Sequence, residues 1–163
     1  MKKVLFLLAA VLCFSVANAQ KGQMAAGVNL NFGLAYEVGS YNNIGLGAKF
    51  QYSLSDHFRL EPAFTYYLKK DNLSMWDLMV NCHYLFPLAQ DRLNLYPIAG
   101  LGVLGAKASA LGYSASTTKF GINLGGGAEY KISQSIALGA ELKYQIVADY
   151  GHLALQLGVT YLF

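Results

Sequence analysis

A chain of 163 residues accommodates one ordinary domain. Only 13% of it is Asp, Glu, Lys or Arg, against roughly 25% in a soluble domain, which argues against a globule with a charged surface. The formal charge of +3 is too small to mark a nucleic-acid partner.

Residues 1–19 read as a cleaved secretory signal. Lys2 and Lys3 give the positive start, Val4 to Val16 the apolar run, and Ala17 and Ala19 the small residues at the cleavage site. The run is shorter than the roughly 20 residues a spanning helix needs. Leu12 before Cys13 is too bulky for a lipoprotein signal. Residues 20–163 then form the mature protein. Without Lys2 and Lys3, Lys plus Arg falls from 12 to 10 against 9 Asp plus Glu, which leaves one net positive charge. Cys82 stands alone and is expected to serve as a small apolar strand residue.

After Gln20 the dominant pattern is period-two alternation, the signature of half-buried strands. Eight stretches follow in order: 24–37, 44–54, 58–69, 75–86, 93–106, 118–132, 135–147 and 152–163. Each is about long enough to cross a bilayer as a tilted strand of roughly 9–11 residues. Compact links (55–57, 87–92, 133–134) interleave with other links at 38–43, 70–74, 107–117 and 148–151. Short links between neighbours predict an antiparallel meander. Pro62 and Pro97 fall inside strands and imply local bulges near a barrel rim.

Alternation does not say which face meets solvent, since a soluble lipocalin-like barrel has the same period with apolar residues inward. Composition decides it. One face carries large apolar groups such as Phe50, Leu101 and Leu138. The other carries Gly47, Gly100, Gly127 and Gly139 with scattered Asn and Gln. Small residues suit the narrow lumen of eight strands, and lipid imposes no size matching on the large ones. The apolar face is therefore expected outward. Tyr36, Tyr66, Trp76, Tyr130, Tyr144, Tyr161 and Phe163 lie toward strand ends, as interfacial girdles do.

The inward face also carries Lys49, Arg59, Glu61, Asp77, His83, Glu129, Glu141 and Lys143. Enclosed charges must pair. A lumen network linking Arg59, Glu61, Lys49, Glu129, Glu141 and Lys143 is expected, with simple core satisfaction preferred over gating. Catalysis is not indicated. No Ser stands at a motif spacing to His57, His83 or His152, and Asp149 near His152 is a weak surface dyad. Neither Cys nor His clusters as metal ligands do. Gly125-Gly126-Gly127 lacks the following GK[ST] of a phosphate loop. No cofactor is called for.

The signal, the eight strands, NLYPIAGLGVLG (94–105), WDLMVNCHYLFPL (76–88) and the terminal TYLF together resemble the small eight-stranded outer-membrane β-barrels of Gram-negative bacteria, of the OmpA/OmpX-like type. Unlike in OmpA, no periplasmic peptidoglycan-binding domain is expected after the barrel. The resemblance implies an all-β, eight-stranded antiparallel up-and-down transmembrane barrel of structural or surface-interaction type. It also implies that Leu157, Val159, Tyr161 and Phe163 form the signal read by the barrel-assembly machinery. Expected partners are outer-membrane lipids, that machinery and an external partner at the loop 107–117. A lipid-modifying enzyme, a narrow pore and a secreted soluble barrel are the rival readings.

Overall fold

The computed structural model describes residues 22–36, 44–70, 73–110, 113–147 and 150–163. The signal with Ala17 and Ala19, the links 37–43, 71–72 and 111–112, and residues 148–149 with Asp149 lie outside them.

Nine strand segments follow in chain order: β1 (Met24–Tyr36), β2 (Ile44–Ser53), β3 (Phe58–Lys70), β4 (Leu73–Tyr84), β5 (Phe86–Leu88), β6 (Leu93–Ala110), β7 (Tyr113–Lys131), β8 (Ile136–Val147) and β9 (Tyr150–Leu162). Every adjacent pairing is antiparallel, β1 pairs with β9, and β4 pairs with β6. The sheet therefore closes, and closure leaves no edge for hydrocarbon to desolvate. The last residue takes part in the seam, since Phe163 N donates to Met24 O at 3.0 Å.

β4 and β5 are one stave. His83 pairs with Ile98 and Phe86 with Leu95, so the register against β6 is unchanged across the break. The cause lies opposite. Tyr84 and Leu85 face Pro97 and Tyr96, and Pro97 has no N–H to offer. Leu85 N donates instead to His57 O at 2.6 Å. Pro62 acts in the same way. The β2–β3 ladder omits Phe50 and Gln51 opposite Pro62 and Glu61 and then resumes in register. Each proline is thus absorbed by a ladder gap, not by the expected bulge. The register shifts fall elsewhere, at Gly33/Ala35 and Tyr67/Lys70.

Four of the expected links are partly paired strand, 70–74 and 148–151 among them. The compact link 87–92 shrinks to 89–92, because Phe86–Leu88 pairs with Leu93–Leu95. The presumed long loop 107–117 is mostly ladder, paired as far as Ala110↔Tyr113. Its Ser, Ala and Thr residues carry no apolar alternation, yet nothing in them obstructs backbone pairing. β6 and β7 therefore run to 18 and 19 residues, while β1, β2, β3, β4, β8 and β9 have 10 to 13.

The described turns 54–57, 89–92 and 132–135 all lie at one end. Two share one design. Ser55 Oγ accepts from Phe58 N at 3.1 Å, and Ser133 Oγ accepts from Ile136 N at 3.0 Å. The third is left-handed at three non-glycine residues, Ala89, Gln90 and Asp91, with φ of 50°, 56° and 63°.

The large apolar residues face outward. Leu101 is 57% exposed, Val28 61% and Leu46 60%, which is the lipid-facing band of a membrane barrel. Aromatic rings cluster at its edges. Phe58, Tyr84 and Phe86 are in contact at the compact-turn end, with centroids 5.0 and 4.9 Å apart. Phe163 lies near Phe50 and Tyr161, and Phe64 near Trp76. Trp76 is half-buried because its ring lies over Gly105, where a Cβ would collide with it. The side chain of Tyr36 is outside the described residues.

Candidate functional site: the lumen

Period-two geometry turns every second residue of each stave toward the barrel axis. The eight charged or titratable residues assigned there, Lys49, Arg59, Glu61, Asp77, His83, Glu129, Glu141 and Lys143, are all buried, and none is more than 5% exposed. Three are cations and four are carboxylates.

Four of the charges form a continuous core around Lys49, which β2 presents at mid-height. Its ammonium lies 3.2 Å from Glu61 Oε2 of β3 and 3.0 Å from Glu141 Oε1 of β8. Glu141 holds Lys143 on its other oxygen at 3.1 Å, and Lys143 donates to Gln156 Oε1. Gln51 donates to Glu61 Oε2 at 2.7 Å. Nearer the compact turns, Arg59 Nη1 reaches both oxygens of Glu129, at 3.0 and 3.2 Å.

His83 and Tyr96 join these two groups. Arg59 Nε lies 3.3 Å and Nη2 3.2 Å from His83 Nδ1. Guanidinium only donates, so Nδ1 accepts and the ring proton sits on Nε2. Nε2 faces Glu61 Oε1 at 3.8 Å. Tyr96 stacks on His83 with centroids 4.6 Å apart, lies under Arg59 at 4.9 Å, and donates its hydroxyl to Glu141 Oε1 at 3.1 Å. Gly127 makes room for this ring, since a Cβ there would come within 2.6 Å of Tyr96.

Asp77 stands apart from the core and accepts from Tyr67 Oη at 2.7 Å. Asn123 bonds Asn81 at 3.1 Å, and Asn31 bonds Thr65 at 3.3 Å. Tyr96 and Tyr67 were not among the expected lumen residues, which were charged, amide or small. Parity could have found Tyr96, which lies between outward Leu95 and Pro97. Met79, Ile98 and Leu104 are also large, apolar and buried, so the interior is less uniformly small and polar than its glycines suggest.

Among the described residues, Glu61, His83 and Glu141 come close enough to share a metal ion, with one ligand atom of each within 4.8 Å of the others. The chemistry of the set does not suit one. Lys49 already serves both carboxylates, and Arg59 takes the Nδ1 lone pair, which leaves a proton on the nitrogen that would ligate. His152 is buried on the inner face opposite Gln145, not at an exposed edge. Leu157, Val159, Tyr161 and Phe163 all face outward.

This architecture has solved counterparts. Ail, the attachment invasion locus protein of Yersinia pestis, is 19% identical with a TM-score of 0.64, over 88% of this chain and 99% of that one. Neisserial surface protein A is 18% identical with a TM-score of 0.70, over 86% and 96%. The N-terminal β-barrel domain of Pseudomonas aeruginosa OprF is 19% identical with a TM-score of 0.70, over 88% and 98%. No curated protein sequence matches the chain. The family model of the outer membrane protein beta-barrel domain matches residues 5–163. With that match across a closed, apolar-faced barrel, the chain belongs to the outer-membrane β-barrel family.

Proposed function

We propose that this outer-membrane protein is a closed membrane anchor with a surface-interaction role, neither a pore nor an enzyme. The observation that carries this reading is the ion core. Lys49, Glu61, Glu141, Arg59 and Glu129 bridge β2, β3, β7 and β8 across the axis of a lumen already narrow for eight strands. Solute passage requires breaking buried ion pairs whose separated members are costly. Planar-bilayer recording tests this. The wild-type protein is expected to give no porin-like steps, and stable stepwise conductance would contradict a closed lumen.

The interaction role rests on the β6–β7 hairpin. The β7–β8 ladder ends at Gly121↔Val147, while β6 and β7 continue to pair to Ala110↔Tyr113. The hairpin therefore stands clear of β8, while β4 accompanies β6 as far as Leu73↔Ala108, so only its tip past Ala108 extends beyond both neighbours, at the end opposite the compact turns. Short turns face the periplasm in such barrels, so the hairpin faces outward. The name of Ail, an attachment protein of the same fold, supports this direction. The outward face of β9, ending at Phe163, is proposed as the element read by the assembly machinery.

A further inference from the structure

At the compact-turn rim, two features of opposite character meet. One is a cleft of about 450 Å³ between the turns 89–92 and 132–135, lined by Gln90, Asp91, Arg92, Lys131, Ser133 and Gln134 among others. The other is an apolar groove of about 650 Å³ on the outer wall, whose lining includes Leu93, Ala128, Tyr130, Leu138, Ala140 and Leu157. They adjoin through the backbone. Leu93 and Tyr130 are paired across the β6–β7 ladder, and the next residue of each strand toward the turns is Arg92 and Lys131, joined by Lys131 N donating to Arg92 O at 2.8 Å. Ala128 and Ala140 are themselves paired neighbours on β7 and β8, so their small side chains leave a trough between larger ones.

We propose that this junction binds one anionic phospholipid, with its phosphate in the cleft beside Arg92 and Lys131 and an acyl chain along the trough at Ala128 and Ala140. Charge and depth both select this occupant. Arg92 and Lys131 against Asp91 leave the cleft one net positive charge, matched to a single phosphodiester. Ser133 and Gln134 add neutral donors. Ile132 and Tyr130, 54% and 47% exposed, place the cleft at the hydrocarbon boundary, where cations meet headgroups. Lys131 also borders the lumen mouth beside Arg59 and Glu129, but the trough that would hold an acyl chain begins outside the barrel. The site lies in the periplasmic leaflet, since it shares the rim with the compact turns.

Native mass spectrometry of the detergent-solubilised full chain tests the proposal, with phosphatidylglycerol, phosphatidylethanolamine and phosphatidylcholine supplied at equal concentration. The expected result is one retained phosphatidylglycerol, favoured about fivefold over the zwitterionic lipids. Arg92→Gln with Lys131→Gln should bring that ratio to one. Arg92→Lys with Lys131→Arg should keep it, as should Lys107→Gln at the opposite rim. Ala140→Phe, on the outer face, should lower retention of the lipid with the rim charges intact. Heat-modifiable migration verifies that each variant is folded. Equal retention of the three lipids by the wild type, or an unchanged ratio in the double Gln variant, would overturn the proposal. Displacement of the lipid by millimolar glycerol phosphate would overturn it too, because the cleft would then bind a free anion with no use for the trough.

Discussion

Lys49 is the residue on which the interior turns. It compensates Glu61 and Glu141 together, and its removal leaves two buried carboxylates sharing fewer partners. Lys49→Met is expected to destabilise the barrel by about 3–5 kcal/mol, the cost of breaking a buried pair from one side. Tyr96 separates two contributions. Tyr96→Phe removes only the hydrogen bond to Glu141 and should cost about 1 kcal/mol. Tyr96→Ala also removes the ring between His83 and Arg59 and should cost about 3–5 kcal/mol. Urea midpoints in lipid vesicles measure all three. A Lys49→Met barrel as stable as the wild type would show that the carboxylates find other partners. Parity alone placed the eight lumen residues on the inner face. It could not pair them, because which strand faces which across the axis depends on closure. Tyr96 and Tyr67 share the inward parity and join the lumen without having been expected there.

At the scale of elements, β9 and the β6–β7 hairpin carry the sharpest expectations. Phe163 is a hydrogen-bonded member of the seam with β1. A polar tail added after Phe163 is expected to lower the yield of inserted, heat-modifiable barrel. Unchanged insertion would remove the terminal residues from any assembly role. Replacing 107–117 by a two-residue turn should leave the barrel folded while abolishing surface binding by cells that display it. Binding that survives the replacement would move the contact to another loop. Strand existence and order were legible from alternation throughout. The extension of β6 and β7 was not, because KASALGYSASTT offers no apolar period and its ladder is made by backbone alone. The prolines misled in the other direction. They predicted bulges, whereas the structure drops ladder bonds opposite each and keeps the register.

For the whole molecule the governing relation is inversion: ionised groups at the axis, large apolar groups at the perimeter. Leu101→Arg, on the outer face of β6 between Val80 and Ile122, should destabilise the folded state by about 2–4 kcal/mol, as expected for a cation near the bilayer midplane. A soluble barrel of the same alternation would instead gain surface charge from outward substitutions. Inversion was legible from composition, since glycine and amide residues fill one face where a water-facing sheet would carry charges.

The most direct measurement of that inversion is spin-label accessibility in a bilayer. Cysteine is placed at Leu101, Leu124 or Phe64 in a Cys82→Ala background, with Gln134 in a compact turn as the aqueous reference. The account predicts collision with dissolved oxygen and protection from a water-soluble nickel chelate at all three strand positions, with the reverse at Gln134. Nickel accessibility at Leu101 and Leu124 equal to that at Gln134, or labels immobilised in a packed interior there, would contradict it.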